Sequence, residues 1–453
     1  MSNSKEQVQQ LFQKGSEFLQ GGNPADALNC FRQLQLLVAP NPTVFLYAGT
    51  ALHNLGRFIE AISSYRQALE LAPDTGEIHN NLGNSLMATG NFPEAAESFA
   101  AATRLLPSNP VPLTALATAQ QALGKIAGAE SSCRSALSLA PDFAEAHWNL
   151  ALNLLLQGRY AEGWREYEWR WRRAAFTSPV RHINVQQWDG SALEGKTILL
   201  HAEQGFGDAI QFVRYVSLVA KLGGSVLLEC HPELVSLFQG VEGVQTVLPF
   251  GESLPDADYQ ISLLSLPHIL GTTVDNIPSK TPYLSPSSGH RSKWAHLLTD
   301  YRDTLRIGLI WAGKSYPDPL RSCRLSDLAP LAAVGNSTFF SLQLGPGAEQ
   351  MSCKPPGMKL IDLTAEISDF SDTAALIEQL DLVISIDTAT AHLAGALGKP
   401  TWLLLPYAPD WRWLLKRADS PWYPGMRLFR QETSGKWDTV INKVAMAFVQ
   451  NRP

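Results

Sequence analysis

Three ladders of residues, each with a step of 34, constrain the first third of this 453-residue chain. Gly15, Gly49, Gly83, Ala117 and Ala151 form one. Ala27, Ala61, Ala95, Ala129 and Gly163 form the second, and Phe31, Tyr65, Phe99, Cys133 and Tyr167 the third. Small residues at two positions let one helix lie close against the next, and the mostly bulky third position fills the gap. Pro73, Pro107 and Pro141 recur at the same step, with Pro40 one place out of register, and each would end a helix. A fixed period of this length implies a solenoid of paired helices, in which each unit buries its apolar face on its neighbours.

The stretch LYAGTALHNLGRFIEAISSYRQALELAPD, residues 46–74, resembles the tetratricopeptide repeat. Five units are expected over about residues 7–172, the first and last degraded as end caps, giving a repeat domain over 1–176. The resemblance implies a concave face that holds a peptide or protein partner; a spacer or a self-association surface is the plainer reading. Asn80, Asn81 and Asn84 suit a polar groove and suit solvated helix surface equally well. In GWREYEWRWRRAAF (163–176), Trp164, Trp169 and Trp171 stand among Arg165, Arg170, Arg172 and Arg173. This reads as a capping helix whose aromatics dock on the next domain, with Arg–Glu pairs outside, in preference to a nucleic-acid patch.

Bulk properties narrow the class. The net charge of −6, with no long basic run, argues against nucleic acid as a partner. The scattered cysteines Cys30, Cys133, Cys230, Cys323 and Cys353 contain no CxxC pair, so neither a disulfide framework nor a zinc site is expected. The first residues lack an apolar signal region, and no run reaches the ~18 apolar residues of a membrane span. A cytoplasmic location with no membrane span is the expectation.

From about residue 190 the period changes. KTILLHA, SVLLEC, VQTVLP and DYQISLL, then LRIGLIWAG, TFFSLQL, MKLIDL, DLVISID, PTWLLLP and MRLFR, are short β-branched runs alternating with helical stretches. That pattern predicts βαβ units and parallel sheets. The polar run 285–304 reads as a separator. Two Rossmann-like halves are therefore expected, over 190–290 and 303–430, with a C-terminal helix within 431–453; the whole is an α + α/β chain. Ligands of such sheets bind beyond the carboxyl ends of the strands.

Three segments could carry chemistry there. In SIDTATAHLAGALGKP (385–400) a buried strand ends at Asp387, and Thr388, Ala389, Thr390 and His392 begin a helix. Unpaired first-turn N–H groups and the helix dipole suit a diphosphate. An ordinary N-cap at Thr388 with a core His392 fits as well. In HAEQGFGDAIQFVRY (201–215), the loop Gln204, Gly205, Phe206 and Gly207 leads into Asp208. Asp208 is either a helix cap or a general base towards an acceptor hydroxyl. In WAGKSYPDPLRSCRL (311–325), Gly313, Lys314, Arg321 and Arg324 offer cations for a leaving diphosphate, or ordinary surface charge. The DAD at 256–258 has a metal-site spacing, but its place after Pro255 and before YQISLL makes it a turn. The tryptophan-rich 406–431 could stack on a base or a sugar, or simply seal the sheet edge.

GFGDAI and SIDTATAHLAGALGKPTWLLLP together resemble the GT-B glycosyltransferases, and within them glycosyltransferase family 9, the heptosyltransferase-like enzymes, over about residues 195–430. That resemblance implies Asp208 as the base, with Thr388 and its neighbours holding a donor diphosphate. It also implies that Lys314 or a nearby arginine assists, and that Asp387 and His392 lie beside the donor. Ala389 stands where the family has glycine, and Arg321 and Arg324 stand where many relatives have lysine. The union of repeats with such a half is similar in architecture to the O-linked N-acetylglucosamine transferases. The expectation is a metal-independent, inverting glycosyltransferase with no cofactor and a nucleotide-sugar donor, a protein held by the repeats being one candidate acceptor. A non-catalytic scaffold with a nucleotide-sensing or relic domain is one alternative, and a surface-glycan (lipopolysaccharide-type) transferase is another.

Overall fold

A computed structural model describes residues 2–179, 184–314 and 320–450. The chain divides into two compact units, 1–153 and 154–453. Among the described residues, no helix is long and apolar enough to cross a membrane.

The first unit is built of antiparallel helix pairs: Ser2–Gln20 with Pro24–Leu37, Pro42–Asn54 with Phe58–Leu71, Gly76–Ala88 with Phe92–Leu105, and Pro110–Ala122 with Ile126–Leu139. The helix Ala144–Leu156 crosses the division. Proline opens several helices, where its missing N–H costs nothing, and Asn41 and Asn109 cap theirs by accepting from Thr43 N and Val111 N at 2.9 and 3.0 Å. The turn within each pair rests on Gly22, Gly56, Gly90 and Gly124, again 34 apart, at φ of 70–77°.

The ladders meet inside the pairs. A Cβ on Gly49 would lie 2.6 Å from the Tyr65 ring, and one on Gly83 2.6 Å from the Phe99 ring. Where the third ladder carries the smaller Cys133, the first can carry Ala117, and both are fully buried. Gly83→Ala is accordingly expected to destabilise the first unit by about 1–3 kcal/mol through overpacking on Phe99. Chemical denaturation reads this directly. An unchanged midpoint would mean that the ring yields freely.

The second unit opens with the helix Tyr160–Tyr167 and the 3₁₀ turn Glu168–Arg172, then forms two wholly parallel sheets. The first sheet has β1 (Gln186–Gln187), β2 (Thr197–His201), β3 (Ser225–Cys230), β4 (Val244–Pro249) and β5 (Tyr259–Ser262), in the order β1-β5-β2-β3-β4. The second has β6 (Leu305–Ile310), β7 (Ser337–Ser341), β8 (Leu360–Asp362), β9 (Leu382–Ile386), β10 (Thr401–Leu405) and β11 (Met426–Arg430), in the order β11-β10-β9-β6-β7-β8. β9 and β10 are buried along their whole length, which is why they read as mainly apolar runs. The strand order reverses at β5–β2 in one sheet and at β9–β6 in the other. The segments after β2, β6 and β9 thus leave from topological switch points.

Several sequence expectations need correction. The fifth repeat's second helix belongs to the second compact unit, so the compact division, at 153, falls inside the expected repeat region rather than at its end. The first sheet begins before 190, at the two-residue β1. The polar run 285–304 does lie between the two sets of strands, but it is not a bare linker. It contains the helix Ser288–Leu297, whose Trp294 is fully buried and donates its Nε1–H to Asp372 at 2.9 Å. The aromatics of 163–176 do dock as expected: Trp164 is buried and donates to the Thr272 carbonyl at 3.1 Å. Arg170 is not on the outside, however. It has no exposed surface and pairs with the buried Glu203 at 2.7 Å.

Candidate functional site

The helix Phe206–Phe212 follows β2 because Gly205 and Gly207 leave the chain room to turn and pack. Asp208 Oδ2 accepts from Gly205 N at 3.0 Å and thereby caps the helix. A Cβ on Gly207 would lie 3.1 Å from His392 Cδ2 and 3.4 Å from Ala389 Cα. The first turns of this helix and of Ala389–Ala396, which follows β9, are therefore in contact across the two sheets. Asp208, Asp387, Thr388, Ala389 and His392 come together, with the loop Gln204–Gly207 beside them.

Within this cluster Thr388 is half-buried. Its side chain caps no N–H of the helix; its hydroxyl lies 3.3 Å from Ser385 Oγ. The ordinary N-cap role is thus not filled by the side chain. His392 is buried, bonded through Nδ1 to Tyr423 Oη at 2.9 Å and stacked on Trp413 at 5.4 Å between ring centroids. It pins the helix. Burial, with Arg412 and Arg214 nearby, holds its pKa well below the usual histidine value, so the ring is neutral. Asp387 accepts from Trp413 Nε1 at 2.8 Å and lies 3.7 Å from His392 Nε2. Burial, then the Asp410 carboxylate, raises its pKa to about 7 against the opposing Trp413 bond, Arg412 and Arg321.

Sequence reading missed Arg412. It follows β10, is buried, and donates to Asp208 Oδ1, to Gln211 Oε1 and, at 3.0 Å, to Asp410 Oδ1. Its guanidinium stacks over Trp411 at 4.4 Å. Burial raises the Asp208 pKa, and the Arg412 charge opposes that shift. The tryptophans of 406–431 are no stacking platform. Trp411, Trp413 and Trp422 are all buried and form the wall behind Arg412 and His392.

Of the cations on the β6 loop, Arg321 bears on Asp387. Its Nη2 holds the Lys314 carbonyl at 2.9 Å, its guanidinium lies against Gly313, and its buried Nε has no acceptor among the described residues. Lys314 and Arg324 are exposed, and Arg324 opens a 3₁₀ helix with its N–H on Asp327 at 2.8 Å. Ser315, Tyr316, Pro317, Asp318 and Pro319 of this loop lie outside the described residues.

Elsewhere, Asp258 accepts from Thr197 N at 2.8 Å and so serves the turn before β5. His290, Asp369 and Asp372 lie close enough together to suggest a metal group. The Lys293 ammonium already sits on Asp372 at 2.9 Å, and Asp369 caps a helix. A cavity of about 580 Å³ lies away from the site, where Leu305, Pro330, Met446 and Val449 line it without any ionisable group.

Comparison with known proteins supports the repeats. The tetratricopeptide-repeat family matches residues 12–74, 46–110 and 114–175, so the N-terminal part of the chain carries these repeats. Protein FlbA of Caulobacter vibrioides is 30% identical over 336 residues, which is 68% of this chain and 55% of FlbA. The chain thus spans about half the length of that curated relative, and the match extends beyond the repeats. Among solved structures, MamA of Desulfovibrio magneticus RS-1 is 18% identical with a TM-score of 0.33, covering 36% of this chain and 92% of that one. A tetratricopeptide-repeat protein of Thermus thermophilus is 20% identical with a TM-score of 0.33, covering 37% of this chain and 91% of that one.

Proposed function

We propose that this chain is a metal-independent, inverting glycosyltransferase of the GT-B type, taking a nucleotide-diphosphate sugar as donor and using the repeats to present an acceptor. The observation that carries the reading is the convergence of Asp208, the Ala389–Ala396 helix start and Arg321. They come from the switch points of two parallel sheets. The donor diphosphate lies against the first turn at Thr388–Thr390, where free N–H groups and the helix dipole favour an anion, with Arg321 alongside. Asp208 removes the proton of the acceptor hydroxyl. The oxygen then forms its bond to the anomeric carbon as the bond to the diphosphate breaks, and the leaving charge passes to the helix start and Arg321. A single displacement inverts the anomeric centre. A protein acceptor suits the repeats, whose relatives commonly hold peptides.

The test is thermal unfolding with ADP, GDP, UDP and dTDP, each with and without EDTA. A nucleotide at about a hundred times its Kd adds roughly 2.7 kcal/mol. The expected result is a selective shift that survives EDTA and is lost in Thr388→Val. No shift with any nucleotide would favour the scaffold reading.

A further inference from the structure

We propose that Arg412 is shared between Asp208 and the donor diphosphate, so that donor binding releases the Asp208 carboxylate for the acceptor. This inference rests on the glycosyl-transfer reading above. In the structure both Asp208 oxygens are taken, Oδ2 by the Gly205 N–H and Oδ1 by Arg412. Each oxygen keeps a further lone pair, but a carboxylate paired with a guanidinium is a weaker base, and it gains basicity towards an incoming hydroxyl when the cation leaves. The Gly205 bond is part of a helix cap and stays. Arg412 is the donor with another place to go.

Its neighbours show where. Arg412 follows β10 in the second sheet, while Asp208 follows β2 in the first, so this one ion pair joins the two halves. The same guanidinium acts on Asp387 and His392, at the start of the Ala389–Ala396 helix. Trp413, the residue after Arg412, is bonded to Asp387 and stacked on His392, which holds the Arg412 segment against that helix. Asp208 and Asp410 each pair with one terminal nitrogen of the cation. An arriving diphosphate offers a planar guanidinium a bidentate partner that outcompetes a single carboxylate oxygen. Donor then precedes acceptor, and the base is not exposed before there is a sugar to transfer.

The test is a double-mutant cycle on nucleotide affinity, read by calorimetric titration with whichever of ADP, GDP, UDP and dTDP shifts the wild-type protein. Asp208→Asn frees the cation and is expected to tighten binding about fivefold, while Arg412→Gln is expected to weaken it about tenfold or more. In the Arg412→Gln background, Asp208→Asn is expected to change affinity less than about twofold, since nothing is left to compete for. Equal tightening by Asp208→Asn in both backgrounds would reduce the effect to simple charge removal and overturn the inference. So would wild-type affinity in Arg412→Gln. If Arg412→Gln does not fold, Arg412→Met replaces it. Methionine fills the space of the arginine stem without a charge, and the same loss of coupling is expected. A wild-type protein that binds none of the four nucleotides fails the glycosyl-transfer reading itself, and this inference falls with it.

Discussion

Arg170→Ala is expected to destabilise the second unit by about 3–5 kcal/mol, the usual cost of removing one partner from a buried ion pair. Arg170 has no exposed surface. Its Nε donates to Glu203 and its Nη1 to Glu168, both at 2.7 Å, and its Nη2 donates to Ser265 Oγ at 2.7 Å. Tyr167 and Trp171 lie against the guanidinium at 5.1 and 4.9 Å. Without the cation, Glu203 is left buried without its positive partner, and burial already pushes its pKa up. Arg170→Ala combined with Glu203→Gln is expected to recover part of the loss, because a neutral amide costs less to bury. Calorimetry of the two variants checks this. A loss below about 1 kcal/mol for Arg170→Ala would show that water reaches the pair. The effect also bears on the site. Glu203 and Gln204 lead into Gly205 and Asp208, and Gln204 is tied to Tyr167 Oη at 3.1 Å and to Ser178 Oγ at 2.9 Å. The last repeat is thus part of the wall that positions this loop.

The repeats are legible because their packing demands small and large residues at fixed positions, and that demand prints a period. A fourth ladder, the positive-φ glycines from Gly22 to Gly124, carries the same step. The central strands, such as β9 and β10, are legible because burial on both faces keeps their runs mainly apolar. The two-glutamine β1 has no such signature, and the helix Ser288–Leu297 buries only Trp294 among its polar faces. The site divides in the same way. Asp208, Asp387, Thr388 and His392 sit at strand–helix junctions, where a change of period marks the place. Arg412 lies 204 residues from Asp208 in a segment whose tryptophans dominate the reading, and no local pattern reveals a partner so distant. The directions of Lys314, Arg321 and Arg324 are equally hidden, since no periodicity sets where a loop side chain points.

Asp387→Asn is expected to stabilise the protein at pH 8 by up to about 4 kcal/mol and to have little effect near pH 4. Asp387 titrates at about 7 in the folded chain, against an ordinary value of 3.8. The folded state therefore holds a proton that the unfolded state has released throughout the window between those values. Stability from this group is full below the unfolded pKa and is lost as pH rises through the folded one. The gap between the two values, at roughly 1.36 kcal/mol for each pH unit, sets the ceiling. The groups facing Asp387 are Asp410, Arg412, Arg321 and His392. His392 works in the opposite sense. Its pKa is depressed, so its contribution is present above 6.5 and lost as pH falls below that value. A stability curve of the wild-type protein mixes both effects. The difference between wild type and Asp387→Asn isolates the carboxylate, since the amide oxygen can still accept from Trp413. Urea unfolding at pH 5, 6, 7 and 8 measures that difference, and it should grow from pH 5 and level off above about 7. A difference that stays flat would mean Asp387 is already charged at pH 5. The site would then meet an incoming diphosphate with one more negative charge, and Arg321 with the helix start would have to offset it.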